Sequence, residues 1–267
     1  MSQTARLDLH CHTLYSGDCF VPLDELVRLA AARGVTHLAI TDHDSCECAR
    51  RSDQETWPIK LIFGEEVTLA DGTHLIALGI RTEIAGRSLA EALREMRAAG
   101  AFIIVPHPFK KASGIFARPG NELAAAQQLV AEFADAIEVC NSKLTDPENA
   151  QAFGLARQLH KLMTVGSDSH FGYDVGDAQL EVEAVSDASD WRALLTGSAS
   201  RRVMQNRYVR QKGVDEHMTD TRVNNMLPGL RPLVPKPVRT LVKRTLHRAV
   251  YQPRVRRRSF ALEEVRF

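Results

Sequence analysis

Leu7-Asp-Leu-His-Cys-His12 is the stretch on which the reading of this chain turns. Leu7 and Leu9 alternate with Asp8 and His10, the two-residue period of a β-strand. Alternate side chains of a strand share a face, so the imidazoles of His10 and His12 point the same way and can converge on one ion. A single His-x-His also occurs on exposed strand faces, so the weight falls on four further motifs. Thr-Asp-His at 41–43, Gly-Glu-Glu at 64–66, Pro-His-Pro at 106–108 and Ser-Asp-Ser-His at 167–170 each sit at the end of a short apolar run. Solubility does not explain polar clusters repeated at that one position.

Beyond this first strand, residues 22–33 carry apolar side chains at helical spacing, with Pro22 at the start, acids in the first turn and Gly34 at the end. Residues 36–41 read as a strand that delivers Asp42, His43 and Asp44 at its tip. Residues 59–63 and 67–69 bracket Gly64-Glu65-Glu66, Asp71-Gly72 is a tight-turn signal, and 73–78 is the returning strand. A helix is expected over 88–99, with Ser88 and Glu91 spaced for a capping box and Gly100 as its stop. Strands at 101–105, 136–140, 162–165 and 179–185 then alternate with helices at 121–133, 147–160 and 189–195. Such alternation implies βα units and a parallel sheet. No Gly-rich phosphate fingerprint succeeds the first strand, which disfavours an open dinucleotide-binding sheet. Closing the sheet gathers the polar strand ends around one mouth, so a barrel is expected.

Composition sets further limits. The 267 residues are 44% hydrophobic, enough for one domain of barrel size plus an appendage. The formal charge of +1 hides an asymmetry. Residues 201–267 hold 17 Lys and Arg against 5 Asp and Glu, a net of +12, whereas residues 1–200 hold 17 against 28, a net of −11. The expected division is a barrel over 1–200 and a basic, partly helical C-terminal extension over 201–267. Five cysteines form no even framework, the N-terminus lacks the apolar core of a signal peptide, and no apolar run has the length of a membrane span. Reduced thiols and a cytoplasmic location are expected. Cys46-x-Cys48 is too closely spaced for the usual zinc pair and stays outside the candidate site.

Each candidate has a plain structural reading. His10 and His12 are also what two bonded strand histidines would look like, Asp18 a loop carboxylate, His43 a surface histidine and His107 part of a stiff turn. Glu65 and Glu66 would be equally ordinary as solvated acids. Taken together these readings fail, because histidines and carboxylates recur at the ends of several apolar runs. Nitrogen and oxygen ligands without cysteine suit zinc, manganese or iron, and eight ligands exceed what one tetrahedral ion needs. Two or three divalent ions are implied.

His-x-His, Thr-Asp-His, Gly-x-Glu-Val-Thr, Pro-His-Pro and Gly-Ser-Asp-Ser-His, in this order, resemble the PHP (polymerase and histidinol phosphatase) family over roughly residues 6–200. The resemblance implies a distorted (βα)7 TIM-like barrel with two or three metals that hydrolyses phosphate esters. It further implies that His10, His12, Asp168 and Glu66 hold one ion. Glu66 would bridge to a second ion bound by His107, and Asp18, His43 and His170 would hold a third. Glu66 is chosen over Glu65 because Glu-Val-Thr matches the family pattern. Some relatives have histidine in place of Asp18, and some supply a further histidine from the strand after the bridging Glu, where this chain has only His74. Asn141 is a polar neighbour of the expected site.

The expected activity is a phosphomonoesterase acting on a small nucleotide or phosphorylated metabolite. Its nucleophile would be a metal-bridging hydroxide between the ions joined by Glu66. Asp42, His43 and Glu66 are the expected catalytic residues, with Asp42 orienting a ligand histidine or taking a proton. Lys110, Lys111 and Arg118 are expected to receive an anionic group of the substrate, their plain alternative being a solvated basic loop. Two rival readings are a phosphodiesterase or exonuclease that grips oligonucleotides with its basic tail, and a non-catalytic metal-containing scaffold. The tail itself, with a basic helix expected at 238–251 and a charge run at 254–258, is suited to covering the acidic barrel, another subunit, nucleic acid or an anionic membrane. No aromatic interleaving there supports base-specific readout.

Overall fold

In chain order the elements are β1 (Thr4–Asp8), α1 (Leu23–Ala32), β2 (His37–Ile40), α2 (Glu47–Arg51), β3 (Lys60–Thr68), β4 (His74–Leu78), α3 (Leu89–Ala98), β5 (Phe102–Val105), α4 (Glu122–Phe133), β6 (Ala136–Asn141), α5 (Asp146–Gln158), β7 (Leu162–Gly166), β8 (Ala178–Glu183), α6 (Trp191–Gly197), β9 (Arg201–Asn206) and β10 (Leu262–Val265). These come from a computed structural model that describes residues 4–52, 56–117, 122–183, 190–197, 200–207, 245 and 260–267. The expected basic helix at 238–251 and the charge run at 254–258 therefore lie outside the described residues, except for Thr245.

The ten strands among the described residues form one sheet in the order β10-β9-β8-β1-β2-β3-β4-β5-β6-β7. The sheet curls until the chain beyond β7 meets the chain beyond β1. There the Leu9 N–H donates to the Val165 carbonyl (3.0 Å), Asp168 N–H to His10 (2.8 Å) and His12 N–H to Ser169 (3.0 Å). Strands β1 to β7 all contribute to the apolar cluster inside this curl, among them Leu7, Ala39, Ile62, Ile76, Ile104, Ala136 and Val165. Alternate residues point the other way. Leu75 and Ala77 of β4, for example, join a second cluster under α3, α4 and α5. A third cluster packs α1 on Leu38 and Ile40. The fold class is thus α/β.

The pairing departs from a purely parallel sheet. Strand β4 is antiparallel to both β3 and β5, because β3 and β4 are joined by the Asp71-Gly72 turn with no helix between them. That reversal carries His74, the first residue of β4, to the same end of the sheet as the last residues of its parallel neighbours. The two apolar runs expected around Gly64 are one continuous strand, since Gly64 lies close against β4. A Cβ at Gly64 would sit 2.3 Å from the Ala77 carbonyl oxygen. Strand β8 is antiparallel to β1, and β9 and β10 extend the sheet from it in the same sense. Residues 201–206 and 262–265 of the expected extension are accordingly sheet strands. The short helix α2 was not expected.

Helix ends obey their sequence signals. Ser88 Oγ accepts from Glu91 N–H while the Glu91 carboxylate accepts from Ser88 N–H, and Thr145 and Glu148 repeat the arrangement at α5. No helix among the described residues is long and apolar enough to cross a membrane. Ser88→Ala removes the cap of α3 and should lower the unfolding free energy by about 1 kcal/mol in chemical denaturation. An unchanged midpoint would show that the box contributes nothing to α3.

Candidate metal centre

Glu66 lies within β3 with its side chain 1% exposed, and five imidazoles surround its carboxylate. Oε2 meets Nε2 of His10 (3.1 Å), His12 (3.1 Å) and His43 (3.4 Å), while Oε1 meets His74 Nδ1 (2.9 Å) and His107 Nε2 (3.0 Å). Asp168 Oδ1 stands 3.6 Å from His10 Nε2 and 3.5 Å from His12 Nε2. On the far side of His12, Asp18 Oδ2 contacts Nε2 of His170 (3.1 Å) and of His43 (3.5 Å). Four groups of potential ligands result: His12, Asp18, His43 and His170; His10, Glu66 and His107; His10, His12 and Asp168; and His43, Glu66 and His74.

Several of these candidate ligands are held from behind. Glu138, buried in β6, places Oε1 3.1 Å from His10 Nδ1, and its Oε2 accepts from His107 N–H (2.7 Å) and Asn141 Nδ2 (2.9 Å). With a proton on His10 Nδ1, the lone pair of Nε2 faces the other ligands. Ser16 Oγ donates to Asp18 Oδ1 (2.7 Å) and lies 3.4 Å from His12 Nδ1. Asp8 accepts from the N–H groups of Ser167 and Gly176, tying the β7 side of the seam to β1. At Gly166 a Cβ would meet both His10 Cβ and Glu138 Oε1 at 2.3 Å, so a bare backbone there is what lets the two strands close. Asp168 and His107 have positive φ (52° and 28°), a strain of roughly 1–3 kcal/mol each that surrounding bonds must hold.

The charges favour a cation. Burial resists protonation of His10, yet Glu66, Asp168 and Glu138 hold its pKa well above the ordinary imidazole value. Burial likewise opposes the charged form of His12, and Asp168 and Glu66 still push it up to about 9. Burial acts to raise Glu66 and Asp168, but the imidazoles around Glu66, and Lys110 with His10 beside Asp168, keep both carboxyls well below the usual range. His43 is pulled down to about 4 by burial, which outweighs Glu66 and Asp18.

The donor set fits divalent ions. Ligand bonds of about 2.0–2.2 Å place neighbouring donor atoms of one ion roughly 2.8–3.6 Å apart. The 2.9–3.6 Å contacts around Glu66 and Asp168 lie in that interval. Nε2 of His10 and Nε2 of His12 face each other at 3.2 Å beside two carboxylates, an arrangement of acceptors that needs positive charge between them. Nδ1 of His43 and Nδ1 of His107 are buried without a hydrogen-bond partner, so the protein leaves these rings to be fixed by what binds Nε2.

All eight sequence-identified ligands, His10, His12, Asp18, His43, Glu66, His107, Asp168 and His170, are brought together. Asp42 stands behind them, its carboxylate accepting from Thr13 N–H (2.6 Å) and Thr13 Oγ1 (2.7 Å). Of the three basic residues, Lys110 reaches the cluster (2.9 Å to Asp168 Oδ2), Lys111 is exposed, and Arg118 lies outside the described residues. Glu65 turns away, with one oxygen accepting from Ile84 N–H. His74 joins the cluster because β4 is reversed. Glu138 was missed, although a lone acid inside the apolar run 136–140 is a readable signal. Ser16 carried no such signal.

A family model described as PHP domain matches residues 8–219. An uncharacterised protein of Methanocaldococcus jannaschii is 30% identical over 194 residues, 69% of this chain and 75% of that protein. A "Probable phosphatase" of Edwardsiella ictaluri is 23% identical over 228 residues, 74% of this chain and 92% of its own length. Among solved structures, PsfC from Pseudomonas syringae has a TM-score of 0.61 at 18% identity, with 84% of this chain and 99% of that chain covered. A two-domain protein from Bacteroides vulgatus containing a predicted PHP-like metal-dependent phosphoesterase has a TM-score of 0.58 at 21% identity, with 76% of this chain covered. The present chain spans 65% of that structure's length.

Two outcomes test the site. His12, pushed up to about 9, carries a proton at pH 7 that an ion must displace, so manganese or zinc uptake should release protons and tighten as pH rises. Calorimetric titration in buffers of different ionisation heat measures this, and a buffer-independent heat would contradict it. Glu138→Gln leaves the shape of the side chain but removes the charge behind His10. It should weaken metal affinity about 10–100-fold, and unchanged affinity would remove Glu138 from the site.

Proposed function

The chain belongs to the PHP domain family, and on that basis we propose that it is a metal-dependent phosphoesterase. Its proposed substrate is a phosphomonoester, a small nucleotide or phosphorylated metabolite. The observation that carries the reading is the buried Glu66 carboxylate ringed by five imidazoles at the mouth of the sheet. The finer architecture is a distorted (βα)7 barrel, which the hydrogen bonds from Leu9, His12 and Asp168 across the β1–β7 seam support. We assign residues 1–200 to the phosphoesterase unit and 201–267 to an extension whose end strands lie in the same sheet. The five buried cysteines, none of them in a disulfide, support a cytoplasmic setting.

His10, His12, Asp168 and Glu66 would hold one ion, Glu66 and His107 with His74 a second, and Asp18, His43 and His170 a third. Two or three bound divalent ions, manganese, zinc or iron, would supply Lewis acidity toward phosphoryl oxygens and a water acidic enough to ionise near neutral pH. Around them the chain's own groups have separable tasks. Glu138 fixes the tautomer of His10. Asp42 orients the segment that carries His12, since its carboxylate oxygens accept from Thr13. Lys110, one-third exposed beside Asp168, presents an ammonium at the mouth and receives a phosphoryl oxygen by charge-assisted hydrogen bonding. Lys111 lies exposed farther out and would meet a second anionic group of a larger substrate.

Elemental analysis of the full chain purified without chelator, with p-nitrophenyl phosphate hydrolysis on the same sample, tests the reading. Two or three ions per chain and turnover abolished by chelator are expected. His10→Ala should lose turnover below detection while its circular dichroism stays unchanged. Failure to take up manganese, zinc or iron, or full turnover by His10→Ala, would sink the proposal. Faster cleavage of oligonucleotides than of mononucleotides would move the substrate to phosphodiesters.

A further inference from the structure

The loop between β7 and β8 carries Asp168 and His170, and its far half is held by a side chain from the C-terminal end of α1. Arg33 comes directly after the last residue of α1, and its guanidinium donates to the carbonyls of Tyr173 (2.8 Å) and Val175. It also stands 3.5 Å from Asp177 Oδ1. Its side chain is only 9% exposed, a burial that a charged group tolerates when its donors are satisfied and an acid lies near. The open face of the guanidinium is covered by Phe260, 4.6 Å from the ring centroid, and Phe260 leads into β10 at the end of the chain.

The same loop is tied to the ligands. The carboxylate of Asp174 accepts from Ser169 Oγ and from the N–H of Phe171 (3.1 Å), and also pairs with Lys143. Gly176 N–H donates to Asp8 (2.8 Å). Asn206, at the end of β9, donates through its backbone N–H to the Asp177 carbonyl (2.7 Å) and through Nδ2 to Asp177 Oδ1 (2.8 Å), while its Oδ1 accepts from Ala261 N–H (3.3 Å). Bonds thus run from the start of β10 through Asn206, Asp177 and Arg33 to the carbonyls of Tyr173 and Val175, on either side of Asp174, whose carboxylate accepts from the residues flanking His170.

We propose that Arg33, seated on Phe260, is a positioning residue of the metal centre: it sets the path of the loop that presents Asp168 and His170. Two carbonyls two residues apart, facing one planar fork, define the turn more tightly than a single bond would. The inference rests on the metal-centre reading above and makes the chain's C-terminal strand part of that centre's support.

Manganese titration and the visible spectrum of the cobalt-loaded full chain test it. Arg33→Lys keeps the charge but cannot span both carbonyls, and should weaken the two ions assigned to Asp168 and to His170 about 10–100-fold with a changed cobalt spectrum. Phe260→Leu, which keeps an apolar cover without the ring face, should act in the same direction and more weakly, and it guards against an Arg33 variant that fails to fold. Ser88→Ala, destabilised far from the loop, should leave affinity and spectrum unchanged. Uptake and spectra of Arg33→Lys and Phe260→Leu matching the unaltered chain, with only lowered melting temperatures, would overturn the positioning role alone. No uptake by the unaltered chain would overturn the metal reading and this inference with it.

Discussion

A carboxylate sealed from water must be neutralised, and Glu66 is sealed on both oxygens. The Born cost of an isolated charge in such a setting is tens of kcal/mol, far beyond the few kcal/mol by which a domain is stable. Five imidazoles from the ends of four other strands meet that demand. His10 and His12 come after β1, His43 after β2 and His107 after β5, while His74 opens β4. Their convergence fixes the register of these strands against β3, since a one-residue slip would turn Glu66 to the helix-covered face. The same convergence sets imidazole nitrogens and carboxylate oxygens within ligand distance of one another, which is what a cation site requires.

The support behind the ligands is as ordered as the ligands. His10 is held by Glu138 and His170 by the loop that Asp174, Asp177 and Arg33 fasten. Asp168 and His107 adopt backbone angles that most residues avoid, and the bonds to His10 and Glu138 retain them. Strain of this kind persists only where neighbours over-determine the conformation.

The range of each interaction decides how much of this was readable from the sequence. His10, His12, His43, His107, Asp168 and His170 announce themselves because a polar residue ending an apolar run is a local pattern. The helix over 88–99 was legible for the same reason, through its capping box, whereas the second box, Thr145 with Glu148, came to light only in the structure. His74 was ambiguous because its position at a strand start counts against it until β4 is known to run backwards. Glu138 sits in a strand buried on both faces, where alternation carries no signal and only its charge within an apolar run marks it. Arg33 was invisible: it ends a helix like many arginines, and its partners lie about 140 residues away. The strands of 201–206 and 262–265 were masked by the basic composition around them.

The seam between β1 and β7 also dictates when the site can come into being. Leu9 and Val165 are 156 positions apart, and the brace on the ligand loop reaches to Phe260. During synthesis the first histidines emerge long before the residues that complete their coordination, so the nascent chain holds only fragments of a binding site. Closing so long a loop is entropically costly and slow relative to local helix formation. The assembled centre is therefore a late product of folding, and an ion that binds only there acts as a latch on the finished topology, stabilising it by mass action after the last strand is in place.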